Sequence, residues 1–108
     1  PGRRYSGSLC HQRRKMRVGV CKVELFINES FSLKDKRRVM NSIKQKLRNR
    51  FNVSIIEIPV NSQWKRGDLG ISCVGLDEGG VRSTMDQIIR FIEEDDRFEV
   101  SDITVDIL

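Results

Sequence analysis

The sequence is poor in the residues that usually carry chemistry. Its 1 histidine, His11, lies in a polar, aperiodic N-terminal stretch. No Ser/His or Cys/His pair can therefore be assembled in the periodic part of the chain. The 3 cysteines, Cys10, Cys21 and Cys73, are far apart and form no C-x-x-C, so neither a zinc site nor a redox motif is indicated. Cys21 and Cys73 sit inside apolar runs, where free thiols are commonly core residues. Reduced core thiols fit a cytoplasmic protein. No apolar run approaches the roughly 20 residues of a membrane span, which argues against a membrane partner. No apolar h-region follows the basic N-terminus. There is no G-x-G-x-x-G and no P-loop, and Gly79-Gly80 alone reads as a loop entering a helix. No motif implies a cofactor or a metal, and no catalytic constellation is found. Glu57, inside an apolar strand, reads as outward-facing.

What is abundant is charge, and it is unevenly placed. The net charge is +5, and residues 1–15 supply all of it through Arg3, Arg4, Arg13, Arg14 and Lys15. That stretch is Gly/Ser-containing and aperiodic. It reads as disordered or extraneous, with Met16 as the natural start, or else as a basic arm that adds non-specific nucleic-acid affinity. The rest of the chain is neutral in total but split. Residues 34–66 hold 10 basic and 2 acidic residues, and residues 67–108 hold 3 basic and 11 acidic. Such a split favours intramolecular attraction, self-association or separate polar faces.

Residues 16–108 read as one domain. Val18 to Asn28 alternates as a half-buried strand, with Cys21, Val23, Leu25 and Ile27 on one face. Ser32 reads as a helix N-cap, with Asp35 in capping-box position. A helix is expected over Leu33 to Arg50, with Val39, Met40, Ile43, Leu47 and Phe51 as its apolar stripe. Asn52 to Val60 reads as a strand, and Pro59 marks it as an edge or a strand end. A loop over Asn61 to Asp68, a strand over Leu69 to Gly75, a second helix after Gly79-Gly80 and a last strand over Phe98 to Leu108 complete the order. Val81, Met85, Ile88, Ile89 and Ile92 form the core stripe of the second helix. In the last strand Ile103, Val105 and Ile107 alternate. This β-α-β-β-α-β order predicts an α+β, ferredoxin-like βαββαβ sandwich, a four-stranded antiparallel sheet with two helices on one face.

The first helix stands out. Lys34, Lys36, Arg37, Arg38, Lys44, Lys46, Arg48 and Arg50 face a single acid, Asp35. A helical wheel places Lys44, Arg37 and Arg48 on one flank, continued by Lys34 and Arg38, while Lys36 falls within the apolar stripe. Cations at a helix N-terminus oppose the macrodipole. The free N–H groups there suit an anion, so Ser32 and Lys36 become a helix-start phosphate or carboxylate site. The competing reading is a basic helix kept soluble and paired with acids of helix 2 or of a partner subunit. The loop Trp64-Lys65-Arg66 sets the chain's sole tryptophan beside two further cations. Trp64 either stacks on a base or packs in the core or a dimer interface. A sheet that reads RNA with aromatics on its central strands is not expected, because only Phe26 is there.

The run Ser32-Leu33-Lys34-Asp35-Lys36-Arg37-Arg38, then Leu47-Arg48-Asn49-Arg50-Phe51-Asn52-Val53-Ser54, then Trp64-Lys65-Arg66 resembles the YlxP-like family, domain of unknown function 503. The resemblance covers Met16 to Leu108 and leaves out residues 1–15. Asp35 stands where that family more usually has glutamate, and both serve a capping box. The resemblance implies a ferredoxin-like fold and a cytoplasmic bacterial protein whose family genes tend to lie near those for translation initiation and ribosome-binding factors. It brings no catalytic residue. Three functions follow as expectations. The first is a non-enzymatic factor that meets RNA or a ribonucleoprotein through Arg37, Arg38, Lys44, Arg48 and the Trp64 loop. The second is a homodimer in which the basic helix meets an acidic helix 2. The third, least supported, is an enzyme holding a small phosphorylated or acidic substrate on Lys36 and Arg37.

Overall fold

The computed structural model describes residues 16–60 and 64–108. The reading of residues 1–15, Cys10 included, lies outside them. Six elements follow in order: β1 (Arg17–Ile27), α1 (Leu33–Arg50), β2 (Ser54–Ile58), β3 (Arg66–Gly75), α2 (Glu78–Glu93) and β4 (Phe98–Ile107). The strands form one antiparallel sheet in the order β2-β3-β1-β4. This is the ferredoxin-like βαββαβ arrangement expected from the alternation of hydrophobic periods.

The core forms where the period-2 faces of β1 and β3 meet the apolar stripes of the helices. Cys21, Val23, Leu25 and Ile27 of β1 and Leu69, Ile71 and Cys73 of β3 are buried, as are Met40, Ile43 and Leu47 of α1 and Val81, Met85, Ile88 and Ile92 of α2. Each Val, Leu, Ile or Met side chain removed from water contributes about 1.5–3 kcal/mol. Cys21 and Cys73 are free, buried thiols on the helix-covered face. Burial, with the neighbouring Cys73 as a lesser cause, pushes the Cys21 thiol up to about 11. Burial also pushes the Cys73 thiol up.

Helix α1 starts as its sequence directs, with one difference. The Ser32 hydroxyl accepts from the Asp35 N–H at 3.1 Å. The Asp35 carboxylate, however, accepts from the Phe31 N–H at 3.2 Å and not from Ser32 itself, so the return half of the capping box falls one residue earlier. Asp77 caps α2 by accepting from the Gly80 N–H at 2.7 Å. Gly79 and Gly80 are therefore the first turn of the helix, not a loop before it.

Strand β3 begins at Arg66, three residues before the expected Leu69. Gly67 and Asp68 are poor strand formers, but pairing of Leu25 with Gly67 and of Phe26 with Arg66 carries the ladder through them. Gly67 also makes room for α1: a Cβ there would lie 2.6 Å from the Met40 sulfur. Strand β2 is shorter than the Asn52 to Val60 span and is an edge strand, consistent with Pro59. In β4 a bulge leaves Ser101 between Val100, opposite Leu25, and Asp102, opposite Glu24. The extra residue switches parity, so Phe98 and Val100 share the helix-covered face with Ile103, Val105 and Ile107. Val105 remains 37% exposed, because β4 is the other edge of the sheet.

Candidate nucleic-acid interface

The cations of α1 divide by what lies beside them. On one flank, α1 leans on the edge strand β2. Lys44 Nζ lies 3.5 Å from Glu57 Oε1. Glu57 pairs with Leu69 in register and so shares the helix-side face of β2, where Lys44 meets it. It is thus exposed at the sheet edge but does not face away from the helices as its sequence setting suggests. One turn on, Arg48 Nη2 donates to the Ile55 carbonyl at 3.1 Å. On the opposite flank α1 meets the α2–β4 turn. Arg97 donates to Ser42 Oγ at 3.1 Å and to Asp95 Oδ2 at 2.8 Å. These Arg97 side-chain bonds, helped by its backbone N–H, hold the Asp95 carboxyl below the usual carboxylate range against the opposing effect of burial. The Arg50 guanidinium lies 5.3 Å from the Phe91 ring centroid and 5.9 Å from that of Phe51. Lys36 is buried in the first turn, as the wheel predicts.

The outer surface of α1 remains. At 100° per residue it carries Lys34, Asn41, Gln45 and Arg38, with Arg48 to one side and Arg37 and Asn49 at its margins. All seven are exposed. Arg38 is bonded to Asp35 at 3.4 Å, and Gln45 donates to Asn49 at 3.2 Å. Among the described residues, Lys34 and Arg37 make no ion pair. The surface is therefore four cations interleaved with three amides, and Asp35 at its rim is its only carboxylate.

The helix start is different from the anion site expected there. The Ser32 hydroxyl already accepts from the Asp35 N–H, and the Asp35 carboxylate itself sits at the positive end of the dipole. Ser32 and Lys36 are thus structural parts of the first turn, while Lys34, Arg37 and Arg38 project from it.

The Trp64-Lys65-Arg66 run is divided. Trp64 and Lys65 are exposed in the turn before β3, tied to the end of β1 by the Ile27 N–H bond to the Lys65 carbonyl. Arg66 points to the other side of the sheet. There it donates to Asp68 at 3.2 Å and to Glu24 at 3.0 Å. Lys22 Nζ lies 4.0 Å from both carboxylates. Hydrogen bonding from Asp68, with the charges of Asp68 and Glu24, holds Arg66 still more firmly protonated. Asp68 is 1% exposed on a sheet face that no helix among the described residues covers. Arg66 is thus engaged by carboxylates and turned away from α1. Sequence reading missed this network because Glu24 and Asp68 are distant in the chain and meet only through strand register.

It also missed Phe31. This ring is 74% exposed beside the α1 start. The signal available was an aromatic at N′, where a helix normally has a staple residue packed on its first turns.

A profile of the family described as protein of unknown function (DUF503) matches residues 18–105. The chain belongs to this family. It is 33% identical over 76 residues to the Bacillus subtilis (strain 168) protein described as uncharacterized protein YlxP, a match covering 70% of this chain and 83% of that one. Among solved structures it is similar to the de novo designed proteins Foldit4 (14% identity, TM-score 0.49, covering 86% of this chain and 96% of that chain) and Ferredog-Diesel (15%, 0.43, covering 98% and 97%). The DUF503 match contains every α1 and Trp64-loop residue discussed above and begins after residues 1–15. No helix among the described residues is long and apolar enough to cross a membrane.

Proposed function

We propose that this DUF503 protein is a non-enzymatic RNA-binding factor that meets the phosphate backbone through the outer face of α1, in the setting of ribosome assembly or translation. The observation that carries this reading is the surface formed by Lys34, Arg37, Arg38 and Arg48 with Asn41, Gln45 and Asn49 between them. Cations there attract phosphates and the amides offer hydrogen bonds to phosphate, sugar or base. The surface is rigid, because α1 is held by Lys44 and Arg48 on the β2 side and by Arg97 on the other. The face is an electrostatic tread, which suits recognition by backbone and shape more than by sequence.

The test is binding of the full chain to ribosomal RNA fragments, compared with a Lys34→Gln, Arg37→Gln, Arg38→Gln, Arg48→Gln variant in the same chain. The reading expects a loss of at least tenfold in affinity at moderate salt. Equal affinity of the two proteins contradicts it, since residues 1–15 are common to both.

Self-association is the second reading, favoured by a different surface from the one the sequence indicates. Helix α2 carries Glu78, Asp86 and Glu93 against Arg82 and Arg90, so it is no acidic counterpart to α1. The acids of the second half gather at Glu94, Asp95, Asp96, Glu99, Asp102 and Asp106, in the α2–β4 turn and on β4. The helix-free sheet face instead exposes Val20, Ile56 and Val74. A dimer seen by light scattering that persists at high salt and is lost in Ile56→Lys supports this reading, and a monomer at all salts removes it.

A further inference from the structure

The end of the basic face carries a feature that backbone binding does not use. Phe31 is 74% exposed, Leu33 51% and Trp64 45%. The Ser30 hydroxyl bond to the Trp64 carbonyl brings the segment of Trp64 beside that of Phe31 and Leu33, so three exposed apolar side chains belong to two adjoining segments. Both ring-bearing segments are fixed from below. The buried Ser30 hydroxyl donates to the Trp64 carbonyl. The next residue, Phe31, donates its N–H to the Asp35 carboxylate, which in turn accepts from Arg38. Glu29 has a φ of 58°, the left-handed region that a non-glycine residue adopts at a cost of about 1–2 kcal/mol. That reversal turns Ser30 inward and leaves Phe31 outward. Hydrogen bonds on either side of the Ser30–Phe31 peptide thus link Trp64 to Asp35 and Arg38, while Phe31 stays largely in solvent and Trp64 is partly exposed.

The same two segments carry more positive than negative charge. Lys34, Arg37, Arg38 and Lys65 are exposed in them, against the exposed Glu29 and an Asp35 carboxylate that is already engaged. A protein partner with only apolar anchors leaves these cations unanswered. A polyanion with unpaired planar bases answers both, because bases stack on aromatic rings while their phosphates meet the cations. Paired RNA lacks that option, since its bases are stacked inside the helix.

Building on the RNA-binding reading of α1, we infer that the ligand is RNA with unpaired nucleotides, whose bases stack on Phe31 and Trp64 while the adjoining backbone runs along the outer face of α1. The site is built for a loop, a bulge or a single-stranded end.

Trp64 is the chain's 1 tryptophan, so its emission reports the site directly. The experiment titrates the full chain with a short single-stranded oligoadenylate and with an RNA duplex of the same length. Affinity is followed by labelled-RNA anisotropy and stacking by Trp64 emission. The single strand is expected to bind more tightly and to quench Trp64, and the duplex to bind without quenching. Phe31→Ala and Trp64→Ala are each expected to weaken single-strand binding about tenfold and leave duplex binding unchanged. Phe31→Leu, which keeps an apolar side chain of similar fit but no ring, is expected to lose stacking as well. Circular dichroism checks that each variant is folded.

If both RNAs bind equally and emission does not change, the inference is overturned and the backbone reading of α1 stands. If neither RNA binds, both fall. If light scattering shows a dimer that Phe31→Ala and Trp64→Ala dissociate, these side chains form a protein interface and the inference is likewise overturned.

Discussion

The outer face of α1 and the helix-free face of the sheet are both charged, yet their cations do different things. On the sheet, Arg66 and Lys22 surround Glu24 and Asp68, two cations against two acids within one cluster. On α1, Lys34, Arg37, Arg38 and Arg48 answer to one carboxylate, that of Asp35. The lesson is that a basic residue in a sequence is not yet a basic surface. Arg66 stands beside Trp64 and Lys65 in the chain but is committed to carboxylates on another face, whereas Arg37 makes no ion pair among the described residues. The sheet cluster is a structural device that keeps a buried carboxylate neutralised, and the α1 face is the one whose cations outnumber their carboxylates.

The sharpest way to separate the two faces is to break the sheet cluster. Arg66→Met leaves the buried Asp68 carboxylate without the guanidinium that bonds it, with Lys22 Nζ 4.0 Å away. It is expected to destabilise the fold by about 1–3 kcal/mol in denaturant unfolding, because the carboxylate, 1% exposed, loses its hydrogen-bond donor. RNA affinity of the folded fraction is expected to stay unchanged. A stability loss below about 0.5 kcal/mol, the range of an ordinary surface substitution, contradicts the structural role given to this cluster.

Arg48 lies between the two classes and tests where the boundary falls. Its guanidinium bonds the Ile55 carbonyl and also borders the α1 surface. Arg48→Met is expected to cost about 1 kcal/mol of stability through removal of that bond, and to weaken RNA binding by less than the loss at Arg37. Stability unchanged with binding abolished would place Arg48 wholly on the binding face.

A smaller effect comes from the core beneath both faces. Cys21 has its thiol pushed up to about 11 by burial, with a lesser contribution from Cys73. The folded state therefore holds the proton more tightly than the unfolded chain. The associated stability is fully present below about pH 9, the ordinary value, and is lost as pH rises toward 11. Thiol labelling at neutral pH is expected to spare Cys21 until the protein unfolds. Fast labelling of Cys21 in the native protein contradicts its burial.

Much of the fold was legible because β1, α1 and α2 carry clean periods. Cys21, Val23, Leu25 and Ile27, and then Met40, Ile43 and Leu47, are each buried where alternation or the 3.6-residue repeat places them. What was not legible came from long-range register. The start of β3 at Arg66 depends on β1 pairing that overrides Gly67 and Asp68, and the bulge at Ser101 shows only once β4 is set against Glu24 and Leu25. The candidate site divides in the same way. A helical wheel finds the flank of Lys44, Arg37 and Arg48, because a helix is local. It cannot show that Glu57 meets Lys44, that Asp35 fills the helix start, or that Phe31 stays exposed, because those facts depend on neighbouring segments.

If the proposed function holds, the cations of α1 are available to phosphate and those of the sheet cluster are not. This is tested by the salt dependence of RNA affinity in two double variants of the full chain, Arg37→Gln/Arg38→Gln and Lys22→Gln/Arg66→Gln. Each phosphate that the protein no longer neutralises should flatten the log–log slope by roughly 0.7 for single-stranded RNA. The slope of the α1 variant is expected to fall by about that amount per cation, while the sheet variant, once corrected for its folded fraction, keeps the slope of the parent chain. Equal flattening in both, or flattening in the sheet variant alone, would contradict it.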